Sequence, residues 1–424
     1  MADSENFLSL DRKKPVVFIG CMNAMPMVYA RILRKIGFNV IFFVDAKRAN
    51  QLCRPEFHFS DIDYPYPNWI HEFQTPSQIL SGVLPKTTAK KLRRRVKEIA
   101  GEQAGAYFLN GFNTALIPHL EAEAVKIALS HGSDLDTWAD VSKKSALGQS
   151  FSRRSIFRYL PRFVSVFAIG LILKRQFSGF TEADRFVYFP REFNDDGRRV
   201  VELLEAAGGT YVQRYDATFE HLPRLRKRQT RGDGSYHIFS IVRFLMSSAP
   251  DANRGYMKGN EIILRAVAEY IARDPAAVVH FFEKGEDVDL AKRMCVELGI
   301  EKRVVWHPNL PFQEFAELLS NADVCIDQVG EQWIGAGVYA MAMGVPLIGN
   351  ARRSIESGVW PSQNPVLNCH TQDQIVDALQ SLSSIERRLS VGEESRLFIE
   401  EFMDPYRTLR RIFTEETLSS QEIE

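Results

Sequence analysis

Cysteine is scarce in this chain. The five residues, at positions 21, 53, 295, 325 and 369, are odd in number, scattered and without a CxxC pair. That excludes a disulfide framework and a cysteine zinc site, and it fits reduced thiols in the cytoplasm. Long apolar runs are also lacking. The longest, Phe163–Leu173, has 11 residues, short of the roughly 20 that cross a bilayer. The first residues, MADSENFLSLDRKK, hold no apolar signal-peptide core. No DxD-type carboxylate pair sits in a convincing loop, and no metal site is expected. No nucleic-acid motif is present either.

Net charge is zero, with 53 Lys and Arg against 53 Asp and Glu. The balance hides a split. Residues 1–231 carry 35 basic and 24 acidic side chains, and residues 232–424 carry 18 and 29. One half is basic and the other acidic, as for halves that face different partners.

The 424 residues, 45% of them hydrophobic, exceed one ordinary core and predict two soluble domains. Short apolar runs alternate with amphipathic helices in both halves. In the first half strands are expected at Pro15–Gly20, Asn39–Asp45, Ala106–Asn110, Val125–Ser130, Arg185–Phe189 and Thr210–Arg214. Helices are expected at Met25–Ile36, Thr88–Ile99, Thr114–Glu123 and Asp196–Ala207. The second half predicts strands at His237–Phe244, Ala277–Glu283, Arg303–His307, Asp323–Val329 and Val345–Gly349, with helices between them. The fold class is therefore α/β: two facing Rossmann-like domains with a deep interdomain cleft. The polar segment Leu225–Ser235 serves as linker. It divides a first domain, residues 1–230, from a second, residues 231–400. Residues 401–424 form a C-terminal helix and tail, the helix Glu394–Phe413 packing back on the first domain.

The stretch Asp323–Asn350 predicts strand, glycine-bearing loop, Ala/Met-rich helix and strand. Small residues at a helix mouth, Gly335, Ala336 and Gly337, leave N–H groups open to an anion. Arg243, at a strand end, and Lys258, at a helix start, are candidate cationic partners. A solvated lysine is the commoner fate of Lys258 alone; joined to the helix mouth, it reads as an anion site.

Arg243, Lys258–Gly259, Glu331, Ala340–Met341–Ala342 and Gly344–Val345–Pro346, in this order, resemble the family 4 (group 1) glycosyltransferases of the GT-B fold. The likeness covers most of residues 237–416. It implies that Arg243 and Lys258 hold the diphosphate of a nucleotide-sugar donor, with the amides near Gly335–Gly337 sharing that load. Glu331 would contact the transferred sugar. Tyr339 stands where the family carries a ribose-binding glutamate, a departure. The resemblance implies a retaining transfer to a glycan or lipid-linked acceptor, with Arg, Lys and helix N–H groups stabilising the leaving charge. A sugar-nucleotide epimerase of the same fold, or a catalytically silent nucleotide-sugar-binding scaffold, stays open.

Three further features are candidates. His131, in the SHGSDL loop after a strand, reads equally as a catalytic contact and as part of a helix cap. Asn23, in the loop GCMNAM, is a weaker acceptor-side candidate. Glu283, Lys284 and Gly285 follow one strand, His307, Asn309 and Leu310 the next, and these strand ends would surround the base, although each alone reads as a surface turn. Residues 141–181 carry eight Lys/Arg, no acid and many aromatics. Lys86–Lys97 adds seven more basic residues. A core helix with solvated basic flanks explains this; so does a segment lying on an anionic membrane surface, which would place the protein peripherally on the inner face of the cell membrane.

Overall fold

The computed structural model describes residues 10–22, 25–75, 78–152, 161–217, 234–246 and 257–414. The chain forms two compact units. The first spans Met1–Tyr215 and takes back the chain from Pro405; the second spans Asp216–Asp404. The first unit thus ends at Tyr215, before the residue 230 expected from composition. The linker candidate Leu225–Ser235, apart from Gly234 and Ser235, lies outside the described residues, as does Asn23.

The first unit is built on a seven-stranded parallel sheet in the order β3-β2-β1-β4-β5-β6-β7. Its strands are β1 Val16–Ile19, β2 Val40–Val44, β3 Ile70–Glu72, β4 Ala106–Asn110, β5 Val125–Leu129, β6 Arg185–Tyr188 and β7 Tyr211–Gln213. The sequence VVFI of β1 is buried on both faces, as parallel strands covered by helices require. Val16 and Phe18 enter one core and Val17 and Ile19 the other. Phe18 stacks on Phe108 of β4 at 4.4 Å. The same core takes Leu409 and Ile412 from the returning helix Pro405–Phe413.

The second unit holds a six-stranded parallel sheet, order β10-β9-β8-β11-β12-β13. Its strands are β8 Tyr236–Ser240, β9 Ala277–Phe282, β10 Val304–His307, β11 Val324–Ile326, β12 Leu347–Gly349 and β13 Leu367–Asn368. In each sheet the first strand is flanked by partners that follow it in opposite directions. Each therefore has a topological switch point, where ligands of such folds collect.

Three expectations fail for local reasons. The helix expected over Thr114–Glu123 is a 3-10 helix, Gly111–His119, ending around Pro118, which lacks the N–H that an α-helix needs. The single C-terminal helix Glu394–Phe413 is two, Ile385–Phe402 and Pro405–Phe413, because Pro405 disfavours helical backbone at Asp404. The apolar run Phe163–Leu173 sits in a longer helix, Arg162–Thr181, which by length and composition could cross a membrane, although 44% of its most apolar window is buried within the protein. Buried Gln176 there accepts the Ala115 N–H at 3.0 Å. A Cβ on Gly179 would lie 2.2 Å from the Thr114 carbonyl oxygen. That close polar packing belongs to a core helix.

Candidate functional site

At the switch point of the second sheet, the loops after β8, β9 and β11 are tied to each other by backbone bonds. The Phe244 N–H donates to the Lys284 carbonyl at 2.7 Å, and Val329 N–H donates to the Lys258 carbonyl at 3.0 Å. Asn260 fastens the turn: its Oδ1 accepts the Leu245 N–H at 3.1 Å. Gly259 (φ +76°) and Gly330 make the close approach possible. A Cβ at 259 would meet Val329 Cγ2 at 2.6 Å, and one at 330 the Met257 oxygen at 2.4 Å. This brings Arg243, Lys258 and Lys284 into one field with Asp327.

Lys258 is pushed below its ordinary range by burial; Arg243 adds to that and Asp327 opposes it. Lys284 is lowered in the same way, by desolvation at its ammonium and by Arg243, with Asp327 opposing, although its side chain as a whole stays exposed. The Lys258 ammonium also lies 5.7 Å from the centre of the Trp333 ring, a cation–π contact. Sequence reasoning brought Arg243 and Lys258 together and passed over Asp327; a carboxylate directly after a strand at a switch point was the available signal.

The helix mouth differs from expectation. The Gly335 and Gly337 N–H groups both donate to Asp327 Oδ2, at 2.8 and 2.9 Å. The amides foreseen for phosphate are held by the chain's own carboxylate, and the helix they open, Gly337–Ala342, has six residues. Ala336 is its cap, with no side-chain bond. Glu331 is exposed and ion-paired with Arg352. Tyr339, half-buried, meets the Phe312 ring edge-on at 4.9 Å. Glu283 pairs with Lys292 at 2.6 Å. Asn309 and Leu310 follow β10 at the same end of the sheet as Glu283.

The first unit carries a second polar site, a cavity of about 150 Å³ at its own switch point. It is lined by Gly20, Met22, Asp45, Asn110, His131, Asp134 and Trp138, among others. Asp134 organises it. Its Oδ1 accepts from Ser130 Oγ at 2.6 Å and from the N–H of His131 and Gly132 at 3.1 Å each. Its Oδ2 stands 3.3 Å from His131 Nδ1. Burial works against charge on both, but the pairing wins. His131 is raised, and Asp134 is held below the usual carboxylate range. Asp134 thus clamps the loop and orients the histidine, so the two readings of SHGSDL describe one device. Asp45 is buried, bonded by Gln78 at 3.2 Å and Asn113 at 2.8 Å, and pushed up by burial against those bonds.

The basic segments are partly spent on structure. Lys143 pairs with Asp196 at 2.7 Å and Arg93 with buried Glu121 at 2.9 Å. Residues 153–160, with three of the arginines, lie outside the described residues. The cysteines are free and buried. Among the described residues no cluster of His, Cys, Asp and Glu is arranged to hold a metal ion.

No protein-family model matches the chain. Over 145 residues, 32% of the chain, it is 28% identical to a D-inositol 3-phosphate glycosyltransferase of Corynebacterium aurimucosum. Over 149 residues it is 30% identical to one from Rhodococcus opacus. These matches span about a third of those relatives' own length, 34% and 32%. Solved structures match nearly end to end. A glycosyltransferase of Rickettsia africae gives a TM-score of 0.57 at 13% identity, covering 95% of this chain and 97% of that one. Anabaena HepE, solved with UDP and glucose, gives 0.53 at 11%, covering 94% and 98%. A candidate UDP-N-acetylglucosamine 2-epimerase of Listeria monocytogenes gives 0.51 at 13%, covering 94% of each. The fold is the GT-B architecture of two Rossmann-like units, and the glycosyltransferase resemblance read from the sequence agrees with the names of the two curated relatives.

Proposed function

We propose that the chain is a glycosyltransferase. It moves a sugar from a nucleoside diphosphate donor to a cell-envelope, lipid-linked or polysaccharide acceptor. The observation that carries this reading is the gathering of Arg243 and Lys258 at the switch point of the second sheet, with Lys258 desolvated beside Arg243. A half-buried lysine whose ammonium is desolvated in the field of an arginine is unfavourable until an anion arrives.

In this reading the bond between the anomeric carbon and the phosphate oxygen breaks, and a bond to the acceptor oxygen forms on the same face of the ring. The acceptor proton leaves with the diphosphate or to solvent. Preplaced cations stabilise the charge that grows on the leaving phosphate, so metal is not required. Glu331 would contact sugar hydroxyls after exchanging Arg352 for them. Tyr339 would offer its hydroxyl to the ribose, and Glu283, Asn309 and Leu310 would border the base. His131, set by Asp134, would touch sugar or acceptor from the first unit.

Membrane contact belongs to the same proposal. Phe163, Phe167 and Leu171 recur at helical spacing and are 75%, 61% and 37% exposed; Arg162 and Lys174 are exposed beside them. An apolar stripe with basic flanks suits an anionic membrane surface, and it would hold a cytoplasmic enzyme beside a lipid-linked acceptor.

Thermal unfolding against a panel of nucleoside diphosphates tests the donor site. A ligand at 100 times its dissociation constant stabilises by about 2.7 kcal/mol, and absence of any shift would remove the donor reading. The anomeric configuration of the product, read by NMR, tests retention. The second reading is epimerisation of the donor, favoured by the fold match to the Listeria protein; it would give an isomerised donor with no acceptor present.

A further inference from the structure

Resting on the reading of the second unit as a nucleoside diphosphate site, we infer that the diphosphate is held by a clasp of three cations, Arg243, Lys258 and Lys284. The amides at the mouth of Gly337–Ala342 take no part. Those amides already have an acceptor of full charge in Asp327, and their helix is too short to offer a strong terminal dipole.

Lys284 is placed by the sheet. β8 and β9 run parallel with Ser240 beside Phe281. The same offset continues past the strand ends to the bridge between Phe244 and Gly285. Arg243 and Lys284 are therefore cross-strand neighbours. The loops cannot drift apart without breaking the bond from the Phe244 N–H to the Lys284 oxygen. Gly285, at φ +117°, is pressed so tightly that a Cβ would fall 2.2 Å from the Phe244 oxygen. Like charges at adjacent strand positions repel. Among the described residues none of the three cations forms an ion pair, and Asp327 is the carboxylate that acts on both lysines. The fold thus holds an excess of positive charge in one place, which a doubly charged diphosphate ester neutralises better than a single phosphate.

Calorimetric titration with inorganic pyrophosphate tests the clasp in the full chain. K284Q is expected to weaken binding about tenfold, the size of one lost charge-assisted contact. K258Q should weaken it at least as much, while K302Q, on the exposed turn Glu301–Arg303, leaves it unchanged. With inorganic phosphate the K284Q effect should shrink. If K284Q binds pyrophosphate like the wild type while K258Q is weakened, the clasp has two members and the inference falls, with the donor site intact. If the wild type does not bind pyrophosphate, both fall.

Discussion

The Asp327 carboxylate accepts the backbone N–H of Gly337 at 2.9 Å, and through the same oxygen it holds the Gly335 N–H as well. A strand end and the following helix are thereby stapled by one buried acid. Asp327→Asn keeps an acceptor but loses the charge. It should cost about 1–3 kcal/mol, the range for bonds to a charged group whose partners are left poorly satisfied. Urea unfolding measures it; an unchanged midpoint would show that the staple contributes nothing.

Gly259→Ala should separate strain from function. At φ +76° any side chain costs about 1–2 kcal/mol, and here the new Cβ also meets Val329 Cγ2 at 2.6 Å. Gly208 has φ +95° and nothing within 4 Å. G208A should therefore lose only the strain, whereas G259A loses more and also displaces Lys258, lowering kcat/KM. Equal stability losses in the two variants, with full activity in G259A, would contradict the packing argument.

Two histidines should give stability opposite dependences on pH. His131 is raised by Asp134 despite its burial, so its contribution is complete below the unfolded value of about 6.5 and lost as pH rises through the folded one. His307 is lowered by burial. The unfolded chain then binds its proton more readily, and stability is lost as pH falls below about 6.5. His307 ends a row of imidazoles: His280 lies 2.8 Å from His237 and 2.9 Å from His307, nitrogen to nitrogen. Unfolding of H131Q and H307Q from pH 5 to 8 should remove the alkaline and acidic slopes respectively; parallel curves would refute the assignment.

His131→Ala should reduce turnover at least tenfold while the protein stays folded, since the loop is clamped by Asp134 through Ser130 and backbone N–H groups that remain. Steady-state kinetics with circular dichroism decides it. Undiminished kcat would remove His131 from the site.

Flotation with liposomes of anionic lipid at low salt should carry the wild type upward, and F163S/F167S should stay behind. Neither residue packs in the core, so the variant should fold normally. Equal flotation of the two proteins, or none of the wild type, would sink the membrane contact.

Much of the fold was legible because parallel strands buried on both faces read as apolar runs. Ala106–Asn110 is found at its expected bounds. Ile70–Glu72 and Leu367–Asn368 were not foreseen, being too short to show a period. Arg243 and Lys258 were legible as charges at a strand end and a helix start. Asp327 was legible as a carboxylate near a strand end, but its role was not, because that depends on Gly335 and Gly337 folding back onto it. Lys284 was legible as a strand-end residue expected near the base, but its place beside Arg243 needed the register of β8 and β9, and the His131–Asp134 pairing needed the turn at Gly132, so these are tertiary facts.

Nucleoside diphosphate release from a panel of nucleotide sugars, with and without acceptor and in the presence of EDTA, tests glycosyl transfer most directly. Release should require acceptor, survive EDTA, and fall about 10²-fold or more in K258Q, the loss from removing one transition-state charge stabiliser. Release that is unaffected by K258Q, or donor that is only isomerised without acceptor, would contradict it.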